Sequence, residues 1–544
     1  LFFTIVKIKR LTTAITKRHC VIASLLFLGA IHPVSAQDDF LGESGINARR
    51  LQLPPYNLTG KKIAIGQVEI GRAGKFGFDK VSAWQPKFSL VGIFFRDRLT
   101  QPNKNLDNHA AMVAGVMVAK DKRLPGVAPD AKLYGAAIGS WSDSLQPDEC
   151  ITSQYLAQQN GGDIRAINFS FGESLKRDPR IDAKLDGNAL LTQCIDWLAR
   201  TQDVLFVIAG NQGEGGIPIP TDHYNGVTIA YTTSKNHQFH KVDFANLSAL
   251  PQGIGRKIIE KEINEDNRRA ITLVAPGHNI STYDLQGKIL KVSGTSFAAP
   301  QVTGTVALLQ EYGDRQLRTQ APQWNLNARR HEVMKAILIN SADKLQDQGD
   351  NNRLGMTRTV LTRKNKTWLD SEAFSNPQIP LDMEMGAGQL NAFRAYQQFS
   401  AGSWPSDRPI PPLGWNYDQL SPQTHQDYLL EKPLPAQSFV AITLAWDRIV
   451  ELIDTNRNQL YDKGETFRSM GLNNLDIYLL PINETETQQA ICKSESLVDS
   501  VEHIFCPIPQ TGKYKIRVEY HQAVNPIIQP YALSWWTAPL AFVE

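Results

Sequence analysis

Three short runs constrain this chain more than anything else in it. Ile63-Ala64-Ile65, Ala166-Ile167-Asn168-Phe169 and Val204-Leu205-Phe206-Val207-Ile208 are almost continuously apolar. A strand that is apolar on both faces must be covered on both faces, the situation of a parallel sheet between helices. Residues 57–400 alternate such runs with helical patterns, which predicts a doubly wound α/β domain. Sheets of that kind carry their sites at the carboxyl ends of the strands.

The N-terminal segment is read separately from the fold. Lys7, Lys9, Arg10, Lys17 and Arg18 precede the apolar run Val21–Ile31, which is too short to span a bilayer, and Val34-Ser35-Ala36 ends in small residues. This is the pattern of a signal peptide, residues 1–36, cut after Ala36; a membrane anchor is the other reading. The missing initiator Met and long basic stretch suggest a non-standard start or an over-extended gene prediction. Export to the periplasm or the medium follows, with no stable membrane span after cleavage. The full chain has 57 Lys and Arg against 54 Asp and Glu, so loss of the five basic residues of that segment turns +3 into −2. A nearly neutral chain gives no footing for nucleic acid. Four cysteines then remain, and an even number in an exported protein suggests the disulfides Cys150–Cys194 and Cys492–Cys506; four buried thiols are the alternative.

Near residue 400 the texture changes. Ser400–Asn416, with Pro409, Pro411 and Pro412, reads as a semi-rigid linker. Beyond it, Phe439–Trp446, Leu475–Leu480, Tyr514–Tyr520 and Tyr531–Trp536 predict an all-β sandwich. The expected domains are residues 37–402 and, with the linker, 403–544. Within the second, Asp454, Asn456, Asn458, Leu460 (through its carbonyl), Asp462 and Glu465 occupy positions 1, 3, 5, 7, 9 and 12 of an EF-hand-like loop and are candidate calcium ligands. Gln459 stands where such loops carry Gly, and a polar hairpin loop is the competing reading.

The strongest chemical signal is Gly294-Thr295-Ser296-Phe297-Ala298-Ala299-Pro300, leading into the apolar helix Val302–Gln310. A Ser at a helix N-terminus is placed where the helix dipole favours negative charge building on a substrate. This string resembles the nucleophile motif of the subtilisin-like serine proteases, the subtilases. The resemblance runs from about Thr59 to Tyr396. His109-Ala110-Ala111-Met112-Val113-Ala114-Gly115 resembles the family's His-Gly-Thr-x-Val-Ala-Gly, with Ala110 and Ala111 departing from it. Ala209-Gly210-Asn211 resembles the oxyanion segment, and Ser170-Phe171-Gly172 the strand that pairs with extended substrate. Gly126-Val127-Ala128-Pro129, Val274-Ala275-Pro276-Gly277, Gly386-Ala387-Gly388 and Leu390-Asn391 match without carrying chemistry.

The resemblance implies a serine endopeptidase acting on proteins or peptides, with no cofactor in the chemistry. Ser296 is the nucleophile, His109 the general base and Asn211 an oxyanion donor; Ser170, Phe171, Gly172, Ala209 and Gly210 border the substrate. The family's third residue is an Asp closing the first strand. A gap-free alignment of Thr59-Gly60 and Gly71 puts Glu69 there, supplying the same carboxylate on one extra methylene. Asp107 is a rival acid, although it suits the N-cap of the His109 helix better; a third possibility is that no acid is aligned. With about 20 residues between Ala36 and the domain, folding without a long prodomain is expected. A catalytically silent binding protein, and a surface-binding module on a vestigial domain, are the competing functions.

Overall fold

A computed structural model describes residues 39–71, 90–99, 107–139, 145–211, 217–242, 264–347 and 355–537. The expected signal peptide lies outside them.

The apolar runs assemble one large sheet. Its strands are β1 (Ala64–Glu69), β2 (Leu90–Phe95), β3 (Arg98–Leu99), β4 (Lys132–Ala137), β5 (Ile164–Phe169), β6 (Leu205–Ala209), β7 (Val227–Lys235), β8 (Gln238–Lys241) and β9 (Leu273–Pro276). A β-hairpin of β10 (Ile280–Tyr283) and β11 (Ile289–Val292) follows, and β12 (Val360–Leu361) completes the sheet beside β8. Pairing is parallel except for β2–β3 and β7–β8. β1 lies between β4 and β5, and the chain winds outward on both sides of it. The carboxyl end of β1 is thus a topological switch point, where a crevice opens. β1, β5 and β6 are buried at every position, as their composition requires.

The helix Thr295–Arg318 runs beneath β5, β6 and β7, and is buried almost all round from Phe297 to Leu309, as an apolar helix at a domain centre must be. The helix Asn108–Val118 packs beside it.

The C-terminal region is antiparallel. One sheet has the order β13 (Leu413–Leu420), β22 (Gln529–Thr537), β15 (Phe439–Trp446) and β20 (Val501–Pro507). The other has the order β14 (His425–Leu429), β21 (Tyr514–Gln522), β18 (Asn474–Pro481) and β19 (Cys492–Ser494). Inner residues of both, among them Tyr428, Trp446, Ile477, Val518 and Trp535, share one core. A third antiparallel pair, β16 (Val450–Ile453) and β17 (Thr466–Ser469), carries the Asp454–Glu465 loop at its tip.

The two regions share apolar cores as well. Phe239 and Ile271 of the α/β domain pack in one cluster with Ala441, Phe505 and Trp536 of the β region. The stretch expected to be a linker is part of this packing: Ile410 and Trp415 are buried, and Trp415 lies 5.7 Å from Phe399 and 5.9 Å from Trp324, ring to ring. Its aromatic and apolar residues find partners, so its proline content does not make it a spacer.

Both expected disulfides are present, with Cα separations of 5.9 Å for Cys150–Cys194 and 6.6 Å for Cys492–Cys506. The first joins the helices Gln146–Ala157 and Leu190–Gln202. The β16–β17 hairpin lies on this pair. Tyr461 exchanges two hydrogen bonds with the Gln154 side chain (2.6 and 3.3 Å), and Phe467 packs against Trp197. Among the described residues, no helix is long and apolar enough to cross a membrane.

Candidate active site

Glu69 is the last residue of β1, and its side chain is buried. Its Oε2 lies 3.2 Å from Nδ1 of His109. His109 is the second residue of its helix, whose N-terminus is fixed twice. Asp107 caps it, its Oδ1 accepting from the Ala110 N–H at 2.8 Å. Gln67, two residues before Glu69, donates through Nε2 to the Ala110 carbonyl at 2.9 Å. Asp107 is therefore committed to the helix end, and Glu69 is the carboxylate on the imidazole.

The electrostatics of the pair are unequal. Burial raises the Glu69 pKa above the ordinary carboxylate value, and His109 offsets only part of this. Burial pulls the His109 pKa down, but the Glu69 charge and hydrogen bond outweigh it, leaving the imidazole above its usual 6.5. The His109 side chain remains 39% exposed.

Ser296 is the second residue of the helix Thr295–Arg318 and is partly exposed. Gly294, before the helix, has φ 147°, a conformation that a residue with a Cβ rarely adopts. The following Phe297 ring lies 5.6 Å from the His109 ring, bringing the helix end to the imidazole. Pro300 has no N–H to donate to the Ser296 carbonyl four residues back. Ser170 Oγ takes over, donating to that carbonyl at 3.2 Å while accepting from Asn168 Nδ2 at 2.8 Å. The proline thus frees a carbonyl that ties the serine to the end of β5.

The other edge is built from the end of β6. Thr295 Oγ1 donates to the Gly210 carbonyl at 2.6 Å, locking Ala209-Gly210-Asn211 to the same helix end. The Asn211 side chain is buried, and among the described residues its Nδ2 has no hydrogen-bond partner. At Gly172 an added Cβ would fall 2.3 Å from the Ile217 carbonyl oxygen. The next residue, Glu173, pairs its backbone with Ile219 at 2.7 and 3.0 Å. The Phe171 side chain is turned inward, stacked on Phe169 at 4.6 Å, so this residue offers the crevice its backbone.

Sequence reasoning passed over Gln67, Asn168 and Thr295 as positioning residues. The signal was available for the first two: each is a fully buried polar residue inside an otherwise apolar run, and such a group needs a specific partner.

The Asp454–Glu465 loop stands apart. Asp454 accepts backbone N–H bonds from Arg457 and Gln459 (2.6 and 2.8 Å), and Glu465 from Thr455 and Asp462 (2.7 and 3.0 Å). Asn456 and Asn458 each donate to Asp462 Oδ2 at 2.7 Å. Gln459 has φ 64°, so it makes the left-handed turn for which such loops ordinarily use Gly. The donor set is all oxygen, which suits a hard cation, once the two Asn amides turn their oxygens inward.

A profile of the subtilase family matches residues 95–357, a span that includes His109, Asn211 and Ser296 but begins after Glu69. Subtilisin Savinase of Lederbergia lenta is 25% identical over 241 residues, 44% of this chain and 73% of that protein. Alkaline elastase YaB of Bacillus sp. (strain YaB) is 24% identical over 236 residues, 42% of this chain and 50% of its own length. An alkaline protease of Alkalihalobacillus alcalophilus is 25% identical over 44% of this chain and 52% of that one. The chain thus spans about half the length of the last two relatives. The solved prenylagaramide maturation protease PagA is 18% identical, covers 64% of this chain and all of its own, and has a TM-score of 0.42. With the switch-point crevice and the helix-borne serine, the profile match and the three relatives show the α/β part of the chain to be similar to the subtilase family of serine proteases.

Proposed function

We propose that this protein is an exported serine endopeptidase that cuts extended stretches of protein substrates with a Glu69–His109–Ser296 triad. The observation that carries the reading is the Glu69 carboxylate at 3.2 Å from His109 Nδ1. Held there, Nδ1 keeps its proton, and Nε2 is the nitrogen left to take the proton of Ser296 Oγ as it attacks the scissile carbonyl. The same proton goes to the leaving amine. The charge on the tetrahedral oxygen is met by Asn211 Nδ2 and the helix N-terminus, a donor of this kind lowering the barrier by about 3–4 kcal/mol. The backbone of Ser170-Phe171-Gly172 pairs with the substrate main chain, which makes few demands on its sequence.

The family's usual Asp is one methylene shorter than Glu69. The added length is accommodated because Gln67 and Asp107 fix the helix end independently of the carboxylate. An active-site fluorophosphonate tests the reading: it should label the wild type and leave Ser296→Ala unlabelled. A wild type that takes no label and hydrolyses no casein would instead be a silent binding protein on this fold. The two disulfides accord with an oxidising compartment, periplasm or medium.

Calcium is proposed for the Asp454–Glu465 loop at the tip of the β16–β17 hairpin, with Asp454, Asn456, Asn458, Asp462, Glu465 and the Leu460 carbonyl as ligands. Calorimetric titration of the full chain should show uptake that Asp454→Ala abolishes.

A further inference from the structure

A second histidine is surrounded by carboxylates at the seam between the two regions. His331 opens the helix His331–Asn340, and its side chain is 2% exposed. Nδ1 faces two carboxylate oxygens, Asp203 Oδ1 at 2.9 Å and Glu332 Oε2 at 3.2 Å. Nε2 faces Asp447, from the β region, at 3.1 Å. Nδ1 can carry only one proton, and Asp203, the nearer acceptor, takes it. Among the described residues, Glu332 Oε2 is left buried without a hydrogen bond, although Oε1 of the same carboxylate accepts from Tyr417 OH at 3.3 Å. A buried carboxylate oxygen facing a nitrogen, with another carboxylate oxygen beside it, is an arrangement that a cation would resolve.

The geometry supports this. The ligand atoms of Asp203, His331 and Glu332 all lie within 4.8 Å of one another. Four-coordinate zinc, with bonds of about 2.0–2.1 Å, sets its ligand atoms about 3.3 Å apart, close to the two spacings at Nδ1. Asp447 on the far nitrogen is the outer carboxylate that metal-bound histidines characteristically use to fix ring and tautomer. Asp203, with 32% of its side chain exposed, leaves a way in from solvent.

We infer that Asp203, His331 and Glu332 bind one divalent transition-metal ion of the zinc class, with Asp447 orienting the imidazole from across the seam. The mixed imidazole and carboxylate set suits zinc better than calcium, so this site is distinct in chemistry from the all-oxygen loop.

The test uses the full chain, stripped with chelator and kept in excess calcium so that oxygen-only sites are filled. Titration with zinc should show one ion taken up per chain and a rise in melting temperature. Glu332→Gln preserves volume and should weaken that uptake by more than tenfold; Asp447→Asn should weaken it by about 10–100-fold. Should either variant misfold, anomalous scattering at the zinc edge from wild-type crystals should give a peak among Asp203, His331 and Glu332. Absence of stoichiometric zinc, uptake unchanged in both variants, or an anomalous peak only elsewhere would overturn the assignment.

Discussion

Among the described residues, two histidines hydrogen-bond to carboxylates, and they are built to opposite ends. His109 has one carboxylate on Nδ1 and keeps over a third of its side chain in contact with solvent. His331 has carboxylates on both nitrogens and is itself buried. A proton shuttle needs one nitrogen held and the other free. An imidazole held on both sides is not placed to pass a proton onward; it ties together the elements that hold it, here the Asp203 corner and the His331 helix to the β region. The same residue types therefore leave a nitrogen open in one place and engage both in the other.

The comparison is broken most severely at the serine. Ser296→Ala or His109→Ala should lower kcat by about 10⁶-fold, the loss found when a serine–histidine pair of this type is dismantled; rapid-quench hydrolysis of a peptide amide reads it. Glu69→Ala should lower kcat by about 10⁴-fold while the protein stays folded, measured against an unchanged circular dichroism melt. At the seam the effect moves from rate to stability. Arg448, buried beside the His331 cluster, donates to Asp196 Oδ2 at 2.6 Å and to the Gly187 carbonyl at 2.7 Å. Arg448→Met should cost about 3–5 kcal/mol by leaving Asp196 buried without its partner, read by denaturant unfolding, with turnover per folded molecule unchanged.

The smallest effect is the sharpest on mechanism. The base must be neutral, and Glu69 holds the folded His109 pKa above 6.5. The acid limb of kcat/KM should thus fall off as pH drops through a value above 6.5. In Glu69→Gln the main raising influence is gone, while the burial that lowers the pKa and the weaker raising effect of Asp107 remain, so the limb should move to lower pH. A limb that stays in place would remove Glu69 from its assigned partnership.

The α/β core was legible because it sits in a local pattern, continuous apolar runs for β1, β5 and β6, and the residues proposed for the chemistry lie in short strings around His109, Asn211 and Ser296. Glu69 needed only register, counted from Gly60 and Gly71. What lay beyond reading was everything made across distance. His331 and Asp447 are separated by 116 residues, and Asp196 and Arg448 by 252; no spacing in the sequence marks such pairs. The stretch before β13 was misjudged for the same reason. Its prolines are a local signal, whereas the burial of Ile410 and Trp415 depends on surfaces built by distant segments.

That buried stretch bears on how the chain resists proteolysis. A chain is cleaved only where a stretch of it can open and lie extended in a cleft. The join between the regions looks from its composition like bait, yet Ser403, Trp404 and Ile410 have their amides bound to the Gln323, Trp415 and Leu429 carbonyls. A protease would have to peel the β region off its bed of aromatic rings before it could cut there. The seam thus acts as armour, keeping the molecule in one piece where proteases are at work.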